Sequence, residues 1–98
     1  MTLLQDVQHI VQERQQHYGH PLANFTEIAK RWSLTLGAPI TPAQVALCMI
    51  DLKMSRLIHN PRHQDSLLDI LGYGVCLSQI QAQLVQTQLR EEQHAVAL

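Results

Sequence analysis

The stretch KMSRLIHNPRHQDSLLDILGYG, residues 53–74, decides the fold because it reads as two helices joined by a short turn. Apolar residues recur at helical spacing before the turn, and the same spacing resumes after it. Between the two helices, Pro61 resists continuing the first one, since its ring removes a backbone donor and clashes with the preceding turn. The stretch therefore predicts a helical hairpin that turns at Asn60 and Pro61.

Charged residues on the two helices of this hairpin are expected to meet. Lys53 and Arg56 are three positions apart and share a face of the first helix. Asp65 and Asp69 are four positions apart and share a face of the second helix. In an antiparallel pair, residues at similar distances from the turn face each other, so Lys53 is expected near Asp69. By the same argument, Arg56 is expected near Asp65.

These charges allow two interpretations. In the first, they form two interhelical ion pairs, each of which stabilises an exposed surface by only about 0–1 kcal/mol. In the second, they form the wall of a metal or phosphate site. Acidic and small residues line one helical stripe there: Asp65, Asp69, Gly72 and Cys76. Gly72 and Gly74 each cost about 1 kcal/mol in a helix interior, so something is expected to need the close approach they permit.

The rest of the chain predicts an all-α protein. TLLQ at residues 2–5 and TPAQ at residues 41–44 each match a capping box, in which a Thr caps a helix and a Gln completes the box. Gly19 and Gly37 are suited to end the first two helices, because glycine readily adopts the left-handed conformation needed there. The predicted helices lie near residues 2–17, 23–36, 42–59 and 64–91, and they form a four-helix bundle-like protomer.

A chain of 98 residues predicts a single domain, 1–98. Its fourth helix carries a Gln-rich arm at about 78–93, followed by a tail, HAVAL, that is expected to fray. The third helix is apolar on nearly all sides between residues 45 and 58, which is typical of a bundle centre or an interface. So small a chain with such a helix is expected to form a homo-oligomer, a dimer at least.

Composition and charge exclude several classes of protein. The net charge is −1 and no block of like charge occurs, which argues against binding to duplex nucleic acid. No apolar run approaches the roughly 20 residues that a membrane span requires. Cys48 and Cys76 lie in apolar helical patterns, which is typical of reduced thiols. We therefore expect a cytoplasmic protein with no membrane partner.

A second group of candidates surrounds the turn between the first two helices. Tyr18 and Asn24 supply an aromatic ring and an amide, which suit stacking on a nucleotide base and hydrogen bonding to it. Alternatively, Tyr18 closes one helix and Asn24 caps the next, and both possibilities stay open. Phe25 and Trp32 follow helical spacing and are expected in the core. The histidines lack the spacing of a zinc site, so His63 is expected to serve as a turn or cap residue.

The chain resembles a group of small phage-associated and bacterial proteins in two segments, RQQHYGHPLANFTEIAKRW at residues 14–32 and ITPAQVALCMIDLKMSRLIHNPRHQDSLLDILGYG at residues 40–74. That group lies near the MazG-like all-α nucleoside triphosphate pyrophosphohydrolases. The resemblance implies a helical bundle, dimeric or tetrameric, that binds a nucleotide with Mg²⁺. It also implies hydrolysis of that nucleotide to the monophosphate and pyrophosphate.

In such enzymes, acids on two successive helices hold the metal, typically in an ExxE motif and an ExxD motif. By position, Asp65 and Asp69 correspond to the two acids of the second motif, although they are four positions apart instead of three. The first motif departs from the pattern, because Asp51 is followed by basic residues where further acids are expected. Mg²⁺ usually needs only one or two direct carboxylates, so Asp65 and Asp69 with one further acid suffice. That acid is Asp51 or Glu27.

The resemblance also implies roles around the attacking water and the nucleotide. One acid among Glu27, Asp65 and Asp69 would orient or deprotonate the water. Lys53 and Arg56 would clamp the phosphates. The remaining nucleotide-binding candidates are Tyr18 and Asn24 for the base and Tyr73 for a sugar or phosphate contact.

Three functions are therefore expected from the sequence. The first is a Mg²⁺-dependent nucleotide pyrophosphohydrolase. The second is a non-catalytic protein that binds and sequesters a nucleotide signal, favoured by basic residues in place of the acids of the first motif. The third is a structural helical oligomer whose charged hairpin is only ion-paired.

Overall fold

The computed structural model describes residues 2–97. Within this range the chain forms four α-helices and no strand, which confirms the predicted all-α class. None of these helices combines the length and the apolar character that a membrane crossing requires. The helices are α1 (Leu3–Tyr18), α2 (Pro21–Leu36), α3 (Pro42–His59) and α4 (Gln64–Ala97).

Reciprocal hydrogen bonds fix the starts of α1 and α3. The Gln5 backbone N–H donates to the Thr2 hydroxyl at 3.2 Å, and the Thr2 backbone N–H donates to the Gln5 side-chain oxygen at 2.9 Å. Thr41 and Gln44 repeat this arrangement at 3.1 and 2.9 Å. Each box satisfies backbone donors that a helix start otherwise leaves unpaired. Both capping boxes predicted from the sequence are confirmed.

α2 begins earlier than the predicted start near residue 23. Pro21 occupies its first turn, where the missing backbone donor has no helical partner to lose. The Leu22 backbone N–H donates to the His20 ring Nδ1 at 3.1 Å, so His20 caps the helix. Pro21 therefore starts α2 as well as resisting the continuation of α1. Asn24 lies inside the first turn, which excludes the cap role for it.

α3 and α4 make the most extensive helix contact of the described chain, and they are joined by the predicted turn. At the start of α4, the Ser66 backbone N–H donates to His63 Nδ1 at 3.2 Å. The same ring nitrogen lies 2.6 Å from the Ser66 hydroxyl. Ser66 is buried, so these contacts satisfy polar atoms that are costly to leave unpaired. The predicted cap role of His63 is confirmed.

One apolar core joins α2, α3 and α4. Trp32 packs against this core while staying partly exposed, so it lies where helical spacing predicts. The buried members of the core are Phe25, Ala29, Val45, Ala46 and Ile80.

α1 packs mainly on α4 and touches α2 little. Its buried side chains are Val7 and Val11. Gly72 of α4 is buried beneath it, and a Cβ added there would lie 3.9 Å from a methyl carbon of Val11. That distance is an ordinary van der Waals contact, so the approach of α1 does not require a glycine. A Cβ added at Gly74 would meet nothing within 4 Å. The prediction that Gly72 and Gly74 are needed for a close approach is therefore wrong at both residues.

α4 is the longest helix, with 34 residues. At 1.5 Å per residue it measures about 51 Å, most of the 56 Å long dimension of the molecule. Up to residue 95, the last buried residue of α4 is Ile80, and the side chains from 81 to 95 are exposed except for the half-buried Gln83. The helix continues to Ala97, past the end predicted near residue 91, because neither Gly nor Pro occurs between residues 92 and 97. The predicted fraying of the tail stays a prediction.

α3 is less buried within one protomer than its apolar sequence predicts. Only Val45 and Ala46 of this helix are fully buried. The expected position at a bundle centre is therefore not met inside one protomer, and the alternative position at an interface stays a prediction. Large apolar side chains are exposed on α3 at Leu47, Leu52, Met54 and Ile58, and on α4 at Leu67, Val75, Leu84, Val85 and Leu89.

Replacing Gly74 with Ala is expected to raise the free energy of unfolding by about 1 kcal/mol, because Ala is favoured over Gly inside a helix. Gly37→Ala is the matched control. Gly37 ends α2 with a φ of 68°, a left-handed conformation that Ala resists, so this variant is expected to lose stability. Urea denaturation measures both changes. A loss of stability in Gly74→Ala would contradict the open surroundings of this residue.

Candidate functional site

A cavity of about 360 Å³ lies between the four helices, and every helix contributes to its wall. Most of the wall is apolar or aromatic, with a small number of polar groups, which is the usual make-up of a small-molecule site. Three charged side chains line the cavity: Arg14, Lys53 and Asp69. We call these three residues the charged cluster.

A larger and more open groove lies at the end of α2, beside Gly37 and Pro39. Its lining contains one charged residue, Lys30. Because no group of converging polar side chains lies there, the groove is a weaker candidate than the cavity despite its larger volume.

The charged cluster joins three helices through one carboxylate. Lys53 Nζ lies 2.9 Å from Asp69 Oδ2, and Arg14 Nη2 donates to Asp69 Oδ1 at 3.1 Å. The side chains of Lys53 and Asp69 are only 14% and 13% exposed, whereas that of Arg14 is 46% exposed. Lys53 and Asp69 are thus largely shielded from water, and a shielded charge needs a partner of opposite sign. The predicted contact between Lys53 and Asp69 is confirmed.

Arg14 is the member of the charged cluster that the sequence-based site assignment misses. It follows Val7 and Val11 on the inward stripe of α1, at i+7 and i+3. A cation at an inward position is the signal in the sequence that points to it. Its partner Asp69 is 55 positions away, so only the packing of α1 on α4 brings the two together.

Aromatic rings lie beside the charged cluster. The Arg14 guanidinium carbon is 6.0 Å from the centre of the Tyr73 ring, which is near the limit for a cation–π contact. The Tyr73 and Phe25 ring centres are 6.2 Å apart. Tyr18 and Trp32 line the same cavity. We call the four rings of Tyr18, Phe25, Trp32 and Tyr73 the aromatic wall.

Several predicted site residues line this cavity. Of the predicted phosphate and base contacts, four reach it, namely Tyr18, Asn24, Lys53 and Tyr73. Asp69 is the one predicted acid that lines it. Four of the five predicted nucleotide contacts are thus brought together in space, although the roles themselves stay predictions.

Four predicted site residues lie outside the cavity and are exposed: Glu27, Asp51, Arg56 and Asp65. The Glu27 carboxylate lies 3.9 Å from the Lys30 ammonium. Arg56 lies at the hairpin end of α3, beside His59. Among the described residues no ion pair joins Arg56 to Asp65, so that predicted contact is wrong. Both side chains are in water, where pairing gains little free energy.

The residues at the cavity do not fit a Mg²⁺ site. Within the described residues, no group of three or more His, Cys, Asp or Glu side chains could hold a metal ion, so Asp51, Asp65 and Asp69 are not brought together. Both oxygens of Asp69 already contact cations. A metal ion there would have to displace Lys53 or Arg14 against their like charge. The described residues thus give no support to the predicted metal role of these acids, which stays a prediction.

The charge of the cavity suits an anion instead. Two cations and one carboxylate give its lining a formal charge of +1. An ammonium has three N–H donors and a guanidinium has five, far more than the two contacts with Asp69 use. Phosphate oxygens are the acceptors that Lys and Arg commonly bind. The charged cluster is thus able to hold a phosphate group while Asp69 keeps both cations in position.

Cys76 lies at the cavity as a neutral thiol. Burial raises the pKa of this thiol above its ordinary value, an effect that outweighs the opposing influence of Arg14. Fewer thiolates are therefore present at a given pH, and the thiolate is the nucleophilic form. Cys76 thus contributes to the wall and is not activated as a nucleophile.

Asp69→Ala is expected to lower the free energy of unfolding by about 2–4 kcal/mol, because it leaves the shielded Lys53 ammonium without its partner. Glu27→Ala is the control, since Glu27 forms an exposed ion pair with Lys30, and a change within about 0.5 kcal/mol is expected. Chemical denaturation measures both.

Arg14→Gln completes this comparison. The substitution removes both the 3.1 Å contact of this half-exposed cation with Asp69 and its repulsion with Lys53, so we expect stability to change by less than about 1 kcal/mol. A loss as large as that of Asp69→Ala would show that Arg14 mainly supports the fold.

Two phage proteins are similar to this chain. The Gene 55 protein of Mycobacterium phage D29 is 34% identical over 91 residues, which cover 92% of this chain and 60% of that protein. The Gene 55 protein of Mycobacterium phage L5 is 37% identical over 83 residues, which cover 83% of this chain and 53% of that protein. The chain thus spans little more than half the length of these relatives.

No solved structure matches the chain closely enough to count as a relative. A family model described as a domain of unknown function (DUF6378) matches residues 2–81. The matched span includes the whole charged cluster and the whole aromatic wall and ends just after the buried residue Ile80 of α4. The chain therefore belongs to the DUF6378 family, whose matched region is the part of the molecule that builds the cavity.

Proposed function

We propose that this protein binds a nucleotide in the cavity between its four helices. The observation that carries the proposal is the charged cluster, in which Arg14 and Lys53 converge on one carboxylate beside the aromatic wall. Cations suit the phosphate of a nucleotide and flat rings suit its base. The resemblance to MazG-like enzymes supports the same class of ligand.

Lys53 and Arg14 would contact the phosphate. Lys53 is shielded from water, and a charged hydrogen bond is stronger there than at an open surface. Asp69 holds both cations in one place before the ligand arrives, which reduces the entropy lost on binding. The phosphate therefore meets a pre-formed pair of cations.

The aromatic wall and Asn24 would contact the base. Arg14 lies over the Tyr73 ring, so Tyr73 suits the sugar or the side of the base near the phosphate. Tyr18 is exposed at the end of α1 and lines the same cavity, where it suits the outer face of the base. The Asn24 amide offers both a donor and an acceptor to a base edge.

Binding without turnover is the form of the proposal that the geometry supports best. Glu27, Asp51 and Asp65, the further acids expected of a hydrolase, lie outside the cavity. Asp69 is engaged by two cations and Cys76 is a neutral thiol. We therefore propose a protein that sequesters a nucleotide rather than consuming it.

A nucleotide pyrophosphohydrolase is the second candidate. It is favoured by the position of Asp69, because a carboxylate beside two phosphate-binding cations is able to orient a water molecule. The resemblance to MazG-like enzymes points the same way. This candidate requires acids other than Asp69 to reach the cavity, and among the described residues of one protomer none does.

We further propose that the protein forms a homo-oligomer, a dimer or a tetramer, in the cytoplasm. Exposed apolar side chains along α3 and α4 support the association, because monomers rarely leave extended apolar surface in water. The free thiols of Cys48 and Cys76 suit a reducing compartment.

Calorimetric titration with the 5′-mono-, di- and triphosphates of each common nucleoside is expected to show binding of at least one of them. Lys53→Met removes one charge-assisted contact, worth about 1.5–3 kcal/mol, so its affinity is expected to fall about 10–100-fold. Arg56→Met is the matched control, because it removes a cation from the same helix outside the cavity. Its affinity is expected to equal that of the unchanged protein.

The same samples separate the two candidate functions. Release of pyrophosphate is measured with each triphosphate and Mg²⁺ at high protein concentration. If the unchanged protein releases pyrophosphate and Asp69→Asn does not, the proposed function is hydrolysis and the proposal of sequestration is wrong. Absence of binding to every nucleotide, or equal losses in Lys53→Met and Arg56→Met, would contradict the proposed site.

Light scattering after size exclusion is expected to give at least twice the mass of one chain. Met54→Glu places a charge on the exposed apolar face of α3 and is expected to lower that mass. Leu34→Glu is the control, since Leu34 is an exposed apolar residue on α2. A monomer at micromolar concentration would contradict the oligomer, and an equal effect of both variants would contradict the assignment to α3.

A further inference from the structure

The positive charge at the cavity is no larger than one phosphate group can offset. Its charged lining is Arg14, Lys53 and Asp69, with a formal sum of +1. A phosphate monoester carries about −1.5 to −2 at pH 7, so one such group already offsets the whole +1 charge of this lining and leaves an excess of about −0.5 to −1. Within the described residues no third cation lines the cavity to meet a second or third phosphate. Further phosphates would have to stay in water, because burying an uncompensated charge is costly.

The existing contacts of the Asp69 carboxylate disfavour a metal ion at the cavity. Of the described residues, Asp69 is the one acid lining the cavity, and its two oxygens lie 3.1 Å from Arg14 and 2.9 Å from Lys53. Mg²⁺ bound there would need Asp69 to give up one of these contacts. Mg²⁺ bound instead to the ligand would neutralise the phosphate that the two cations attract. In either position the metal weakens the contacts that the described residues offer.

From these two observations we infer that the ligand is a nucleoside monophosphate, bound without a metal ion. The inference rests on the proposed nucleotide binding and names the ligand class of the same site. The size of the cavity agrees with it, because about 360 Å³ is near the lower end of the range for small-molecule sites. The phosphate contacts Lys53 and Arg14, Asp69 positions both cations, and the nucleoside lies against the aromatic wall.

This ligand class differs from the one that the resemblance implies. A MazG-like hydrolase binds a triphosphate together with Mg²⁺ and releases a monophosphate. In this chain, a lysine shielded from water lies where a metal ion would need carboxylates. The cluster therefore supplies by itself the positive charge that Mg²⁺ would supply to an enzyme of that type.

The test compares the 5′-mono- and triphosphate of each common nucleoside by calorimetry, once with EDTA and once with excess Mg²⁺. With EDTA, the monophosphate is expected to bind at least as tightly as the triphosphate, since the outer phosphates gain no contact. Mg²⁺ is expected to leave this affinity unchanged or to lower it. Tightening of triphosphate binding by about tenfold or more on addition of Mg²⁺ would overturn the inference.

Two matched variants sharpen the comparison. Asp69→Asn raises the formal charge of the lining from +1 to +2, so triphosphate binding in EDTA is expected to tighten. Asp65→Asn changes an exposed acid one turn earlier on α4 and is expected to have no effect. If the two acids held a metal, both variants would weaken binding in Mg²⁺, which would overturn the inference. The titration of the unchanged protein decides the question if Asp69→Asn does not fold.

Alkylation of the cysteines locates the ligand independently. Cys76 lines the cavity, whereas Cys48 is exposed on α3. A bound monophosphate is expected to slow the reaction of Cys76 with iodoacetamide and to leave that of Cys48 unchanged. Binding of a monophosphate without protection of Cys76 would overturn the placement in this cavity. Failure of every nucleotide to bind would overturn the proposed function, whereas tight binding that needs Mg²⁺ would overturn the inference alone.

Discussion

The ion pair between Lys53 and Asp69 is the constraint on which the rest of the structure depends. It crosses the contact between α3 and α4, the most extensive in the described chain, and both side chains are largely shielded from water. A pair of this kind contributes little to net stability, because desolvation of the two charges offsets much of their attraction. What it fixes is geometry. Only one register of the hairpin brings Lys53 and Asp69 together.

Local signals in the sequence account for most of the fold. The two capping boxes and the turn at Pro61 act within a few residues, so they operate whatever the rest of the chain does. Pro21 is harder to interpret, because the same residue can end one helix or begin the next. The hydrogen bond from Leu22 to the His20 ring decides for the second role. Nothing in the spacing of apolar residues indicates that bond.

The candidate site was only half predictable, for a different physical reason. Lys53 and Asp69 follow from the symmetry of a hairpin about its turn, which needs no knowledge of other helices. Arg14 reaches the same carboxylate from α1, and that contact exists only because α1 packs on α4. Arg56 and Asp65 are equally symmetric about the turn yet stay apart, since solvated charges gain too little to be held together. Burial, which the sequence does not state directly, separates the two cases.

The attachment of α1 has a thermodynamic consequence. This helix supplies Arg14, Tyr18 and part of the apolar wall, yet it packs mainly on α4 and touches α2 little. If α1 detaches, the cavity loses one wall and one of its two cations at once. Any molecule held in the cavity therefore favours the closed arrangement by RT ln(1 + [L]/Kd). Amide hydrogen exchange in α1 would slow by the factor 1 + [L]/Kd, because local unfolding of this helix and ligand release are a single coupled equilibrium.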